Sequence, residues 1–393
     1  MHTSMRRLRA IVFCALLALD GWDTGADSPQ AALARQDNSP LIQVAILIDT
    51  GDNMSPIIEQ AQGQIWQVVG EVGAYRLYGK DPELQMALYE YGNGNIGEQQ
   101  DYLQMLRPLT HDLDGLSESI FSLYPEEAPQ YCGKVIQDAV ANLEWSKASD
   151  SIKLIFIAGA GAFDLGPVDY RRACRDAADQ GIRIYMLYCG APEDADAAGW
   201  ELAAKTTGMT FQAVNAHFTD NVRQAPQDKR ILELGVNLNH TYIPYGFYGL
   251  LAFNNQFVQD ENAGDISPQA AILRTFAKAT PQYRNPEWDL VDALAAGLVE
   301  INPLDVSDLP ENLQKMMPQQ RQAYVDAIGR QRNAIQRQIK QLRLQRKQFL
   351  TDAGVVTDPA RQDGFAGALI KFLRAQAGRK NYIIGNSADP SLN

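Results

Sequence analysis

Histidine and cysteine are scarce, four of each among 393 residues, and neither falls into a reactive pattern. No H-E-x-x-H helix, G-x-S-x-G elbow or C-x-x-C pair occurs, so the usual zinc hydrolase, serine hydrolase, structural zinc and thioredoxin readings have no support. Gly159-Ala160-Gly161 lacks the third glycine of a dinucleotide loop. After residue 19 no apolar run is long enough to span a bilayer. Basic residues are outnumbered, 35 Lys and Arg against 47 Asp and Glu for a net charge of −12, which argues against a nucleic-acid or anionic-membrane binder.

A composition of 46% hydrophobic and 21% charged residues suits one large core with appendages. Arg6, Arg7 and Arg9 precede an apolar run from Ala10 to Leu19, the layout of a secretory signal over residues 1–34 with cleavage after Ala34 or Ala26. Export to a periplasmic or extracellular compartment is therefore expected. Cys14 lies within that run and lacks the small residues of a lipoprotein site. The mature chain would keep Cys132, Cys174 and Cys189. Cys132 should open a helix and Cys189 close a strand at the same sheet edge, which favours a Cys132–Cys189 disulfide. Cys174 as a substitute partner, or three buried free thiols, are the alternatives.

Ile42 to Ile48 is almost unbroken apolar sequence, as in a parallel strand covered on both faces. Asp49 follows at its carboxyl end. Ser55-Pro56 then reads as a helix start, with Ile57, Ile58, Ala61, Ile65, Val68 and Val69 at helical spacing. Strands at 84–91, 102–109, 152–158, 182–189 and 209–214 alternate with helices near 116–123, 132–143, 168–180 and 196–205, a pattern that calls for a doubly wound α/β sheet. Short as it is, the segment 102–109 is expected to run back beside its predecessor.

The stretch IQVAILIDTGDNMSP resembles the opening of a von Willebrand factor type A domain, whose metal-ion-dependent adhesion site begins D-x-S-x-S. Asp49, Gly51 and Asn53 stand at those positions. ALYEYGN, LRPLTHDLDGLSESIF, YCGKVIQDAVANLEWS and FIAG…GPVDYRRAC are similar to a bacterial, exported subgroup of that family. The resemblance implies a mostly parallel six-stranded sheet over 35–217 and a helical C-terminal extension. It also implies a binding edge formed by Asp49, Gly51, Asp52 and Asn53, with Asp49 and Asn53 as the remaining metal ligands. PEEAPQYCG at 125–133 lacks the family's threonine, and Ala158-Gly159-Ala160 stands where an aspartate is usual. Either no cofactor or a weakly bound Mg2+ or other divalent cation is the expectation, with Asp52, Glu126, Glu127 and Asp164 as substitute ligands. Backbone hydrogen bonding and helix capping by Asp49 and Asn53 form the simpler reading.

Residues 218–317, rich in proline and asparagine, read as an irregular segment wrapping the domain, with Tyr242, Tyr245, Phe247 and Tyr248 as packing or recognition aromatics and Asn239 in a glycosylation sequon. Pro318 opens a basic helix over 318–352. Its residues 319–350 carry a net +7, so the remainder of the −12 chain carries −19. Ile328, Ile335, Leu342 and Phe349 recur every seven residues with Ile339 between, a coiled-coil-like seam that Arg332 and Arg346 interrupt. A tail with one short helix occupies 353–393. These features predict a non-enzymatic protein-binding domain. The alternatives are an assembly role carried by the basic helix, and a cysteine enzyme pairing Cys132 with His111 on one edge.

Overall fold

The computed structural model describes residues 39–214 and 223–385; the predicted signal segment, its arginines, Cys14 and His217 lie outside them. The strands are β1 (Leu41–Asp49), β2 (Tyr75–Arg76), β3 (Glu83–Tyr91), β4 (Leu103–Thr110), β5 (Ile152–Gly159), β6 (Arg183–Tyr188), β7 (Thr210–Ala213) and β8 (Ile383–Ile384). Six of them form one sheet in the order β4-β3-β1-β5-β6-β7, and β2 pairs with β8 in a separate ribbon. Only β4 is antiparallel in the main sheet. Every residue of β1 is buried, because β1 has a strand on each side and helices on both faces. In β4, Pro108 cannot donate to a ladder, and the pairing with β3 shifts register beside it, as an edge strand permits.

Helices α1 (Ser55–Val72) and α2 (Leu113–Phe121) cover the face of Ile42, Val44, Ile46 and Ile48, while α3 (Cys132–Asn142), α4 (Tyr170–Asp179) and α5 (Ala195–Thr207) cover the face of Ala45 and Leu47. The alternation of inward side chains along β1 thus builds two cores separated by the sheet.

The segment 218–317 departs from its expected irregularity. It contains α6 (Asp228–Asn239), α7 (Gly249–Ile266), α8 (Pro268–Lys278) and α9 (Leu290–Ala295). Their interior is polar, which hides the helical periodicity. Gln256, Gln259, Arg274 and Lys278 are all at most 1% exposed. Arg274 pairs with Asp114 at 2.8 Å and with Asp260, and stacks 4.4 Å from the Trp66 ring. Lys278 reaches Asp260 at 2.7 Å, and the Tyr283 hydroxyl donates to Asp114 at 2.5 Å.

After the short α10 (Glu311–Gln314), α11 runs from Pro318 to Asp352. Its seam faces this chain's own helices, and the arginines that interrupt the seam anchor it. Arg332 bonds Asp289 at 2.7 Å and Asp292 at 2.8 Å, and Arg346 bonds Asp228 at 2.6 Å. The last helix, α12 (Phe365–Arg379), corrects the expected domain limit at 217 and the expected tail. Phe365 meets Phe156 of β5 at 5.2 Å and Phe372 meets Tyr185 of β6 at 4.8 Å, so residues far beyond 217 supply part of the sheet's cover. Arg374 secures this helix to Glu71 of α1 at 2.7 Å.

Truncating Arg274 to alanine leaves buried Asp114 without its cation and Asp260 with Lys278 alone, and is expected to cost about 3–5 kcal/mol in urea denaturation. Burial by itself would raise the Asp260 pKa, but Lys278 and Arg274 outweigh it and hold the carboxyl well below the usual range. That contribution is complete above the unfolded-state pKa of about 4 and is lost as pH falls below it, so Asp260→Asn should flatten the acid limb of the stability profile.

Candidate functional site

The carboxyl ends of β1, β3, β5 and β6 and the start of α3 meet at one edge of the sheet. Asp49 ends β1 and is fully buried there. Its carboxylate accepts the Gly51 N–H at 2.8 Å and the Ala160 N–H at 3.3 Å. Burial pushes its pKa up, with Glu127 adding repulsion, and although those two N–H groups oppose the shift it reaches about 7. Asp52 and Asn53 are exposed in a single turn, Asp52–Met54, before α1, and Met54 is buried. No side chain caps α1, so Asn53 does not fill the capping role. The Asp52 N–H donates to Glu127 at 3.2 Å.

Gln130, which nothing in the sequence marks, closes the space above Asp49. Its Oε1 accepts the Gly161 N–H at 2.6 Å. Gly92 has φ 71°, and a Cβ there would stand 2.8 Å from Asp49 Oδ1 and 2.9 Å from Gln130 Cγ. The turn therefore needs glycine both for its left-handed backbone and for the close approach. Below Asp49, the Tyr91 hydroxyl donates to the Ala158 carbonyl at 3.0 Å, and Trp200 Nε1 donates to the Gly161 carbonyl at 2.7 Å. Beside it, buried Glu90 accepts from Thr50 Oγ1 and Asn93 Nδ2, each at 3.4 Å, and from Gln104.

This donor set does not fit a divalent cation. A hard cation needs several converging oxygens, whereas both Asp49 oxygens here face N–H groups and an amide side chain fills the adjoining space. Asp52, Glu126, Glu127 and Asp164 are exposed on the surrounding loops. Among the described residues no group of three or more His, Cys, Asp or Glu side chains could hold a metal ion.

The loops of the outer rim carry one sign of charge. Loops 50–54, 92–102, 124–131, 159–169 and 189–194 contain no lysine, arginine or histidine, yet carry Asp52, Glu98, Asp101, Glu126, Glu127, Asp164, Asp169, Glu193 and Asp194. Lys134 of α3 pairs with Asp101 at 3.3 Å and Arg171 of α4 with Asp169 at 3.5 Å; the remaining carboxylates have no cation within those loops.

The cysteines differ from the expected bridge. Cys132, Cys174 and Cys189 are free and buried. Cys132 belongs to the core on the α3 side of the sheet and Cys189 to the core on the α1 side, so a shared edge does not bring their thiols onto a shared face. The Cys132–His111 pair is likewise separated. Antiparallel β4 carries His111 to the opposite end of β3, where its ring lies 3.1 Å from Gln85, while Cys132 lies 3.9 Å from Tyr91 at the near end. Burial raises the Cys132 thiol pKa well above its ordinary value, which suppresses the thiolate.

No family model and no curated protein matches this chain. Among solved structures, 137 chains match. Proximal thread matrix protein 1 from the mussel byssus gives a TM-score of 0.33 at 10% identity over 45% of this chain and 42% of that one. The SpRpn10 VWA domain gives 0.33 at 16% identity over 44% and 88%, and a von Willebrand factor type A protein from Catenulispora acidiphila gives 0.33 at 14% over 45% and 39%. The match thus spans less than half the length of the mussel protein. The architecture stands on the strand order and register described above.

Because the folded chain holds the Asp49 proton up to about pH 7 while the unfolded chain releases it near pH 4, this group lowers stability as pH rises through that window. Asp49→Asn is expected to remove that part of the slope between about pH 4 and 7, measured by denaturant midpoints at closely spaced pH values.

Proposed function

We propose that this chain is an exported, non-enzymatic binding module whose contact surface is the Asp49 edge of the sheet. The rim of carboxylates around an Asp49 closed in by Gln130, with only Asp101 and Asp169 of them ion-paired among the described residues, carries this reading. A partner carrying lysine or arginine fits such a rim, the reverse of a mode in which a partner carboxylate completes a metal site. Asp49 and Gln130 then shape the loops from beneath, while Asp52, Glu126 and Glu127 meet the partner. The layout Arg6, Arg7, Arg9 followed by Ala10–Leu19 supports export. The acidic rim disfavours nucleic acid as partner.

The basic helix fits an internal strut better than an independent assembly device. Arg321, Arg332 and Arg346 are buried against this chain's own carbonyls and carboxylates, so deleting 318–350 would remove a wall of the fold along with any surface.

A photo-crosslinker at Asp52, introduced in the producing cells, tests the proposal. Trapping of a partner through a basic segment, unaffected by EDTA and reduced on the order of tenfold by Glu126→Lys with Glu127→Lys, is expected. Asp49→Ala should lower trapping only modestly. Loss of trapping with EDTA, or complete loss with Asp49→Ala, would overturn the metal-free reading.

A further inference from the structure

The opposite end of the molecule carries a different kind of surface. Phe247, Tyr248, Leu250 and Leu251 are 87%, 70%, 62% and 66% exposed at the start of α7. The two rings touch edge to face, with centroids 4.8 Å apart. This tip is built, not loose. The Tyr245 N–H donates to the Trp288 carbonyl and the Gly246 N–H to the Asp308 carbonyl, both at 2.9 Å, and the Tyr245 hydroxyl donates to the Pro286 carbonyl at 2.6 Å. Gly246 turns the chain at φ 72° so that the next two rings project outward.

Its placement follows from the helices beneath it. Gln259 of α7 accepts from Ser117 of α2 at 2.9 Å, and Arg274 joins the Gln256 carbonyl to Asp114, one turn nearer the start of α2. That start follows the end of antiparallel β4, away from the Asp49 edge. Continuing toward residue 247 carries α7 past the sheet on that far side. Gln282, donating to the Pro82 carbonyl just before β3, places the adjoining segment there as well.

Three observations select the occupant. From Thr241 to Gln259 the chain contains no charged residue, so nothing there offers an ion pair to fix a polar partner. The apolar patch, on the order of 500 Å², is large for a free surface yet short of the ~800 Å² per partner that a stable dimer buries. Two copies would also bring together chains of net charge −12. We propose that this tip inserts into the interface of a zwitterionic lipid bilayer as a peripheral anchor, leaving the acidic Asp49 edge toward the aqueous side. Among the described residues no helix is long and apolar enough to cross a membrane, so the attachment is interfacial. Asp305 and Asp308 beside the tip are exposed and give anionic headgroups no advantage.

Phosphatidylcholine vesicles test this with the full chain. An indole introduced by Phe247→Trp is expected to shift its emission to the blue and to be quenched by brominated acyl chains, measured against the unsubstituted chain. Phe247→Asp with Leu251→Asp is expected to lower flotation with the vesicles by about tenfold or more, while the thermal midpoint stays unchanged. Both chains share residues 1–38, so the difference reports the tip. An indole at 247 that brominated lipid leaves unquenched would overturn the proposal, whatever the rest of the chain contributes to flotation. So would binding that requires phosphatidylglycerol and vanishes in about 0.5 M salt, which would move attachment to basic residues. A blue shift that appears with rising protein concentration in the absence of lipid would overturn it in favour of self-association.

Discussion

Arginines facing carboxylates fix where the C-terminal helices lie. Buried Arg274 joins α8 to Asp114 of α2, buried Arg332 joins α11 to the loop and helix at Asp289 and Asp292, and half-buried Arg374 joins α12 to Glu71 of α1. The Arg274 and Arg332 guanidiniums are at most 5% exposed, so their carboxylates rather than water compensate them. Such pairs add little net stability over apolar packing, but an arrangement that separates them leaves a charge buried without a partner. The consequence is that residues 223–385 are part of the body that supports the sheet, with α12 packed on β5 and β6.

At the carboxyl edge of the sheet, backbone and amide groups enclose the carboxyl group that ends β1. Backbone N–H groups from Gly51 and Ala160 point at Asp49, and Gln130 fills the space from the side. The carboxyl group so placed has both oxygens facing N–H groups, and burial pushes its pKa up to about 7. Negative charge survives on the outer loops instead, where it is solvated and available to a partner. The two ends of the molecule then differ, an acidic rim of loops at one and an exposed apolar tip over Phe247–Leu251 at the other.

The sheet was legible in the sequence because β1, β3, β5 and β6 are buried runs and the helices covering them have clear apolar periodicity. The doubly wound α/β class with one antiparallel edge strand follows from that alternation. Helix α7 was not legible, since glutamine occupies its buried positions and breaks the pattern that reveals a helix. Asp49 could be found from its place at a strand end. Gln130, Tyr91 and the Ala160 N–H could not, because a backbone donor or a single amide leaves no spacing to read. The cysteines show the limit of edge reasoning: strand ends and helix starts identify a shared edge, while the face depends on which side of the sheet each element covers.

The central claim is that the Asp49 edge binds without a metal, and calorimetric titration of the purified chain with Mg2+, Mn2+ and Ca2+ beside Asp49→Ala addresses it most directly. The account predicts no saturable heat that depends on Asp49. A saturable isotherm in the natural chain that disappears in Asp49→Ala would contradict it.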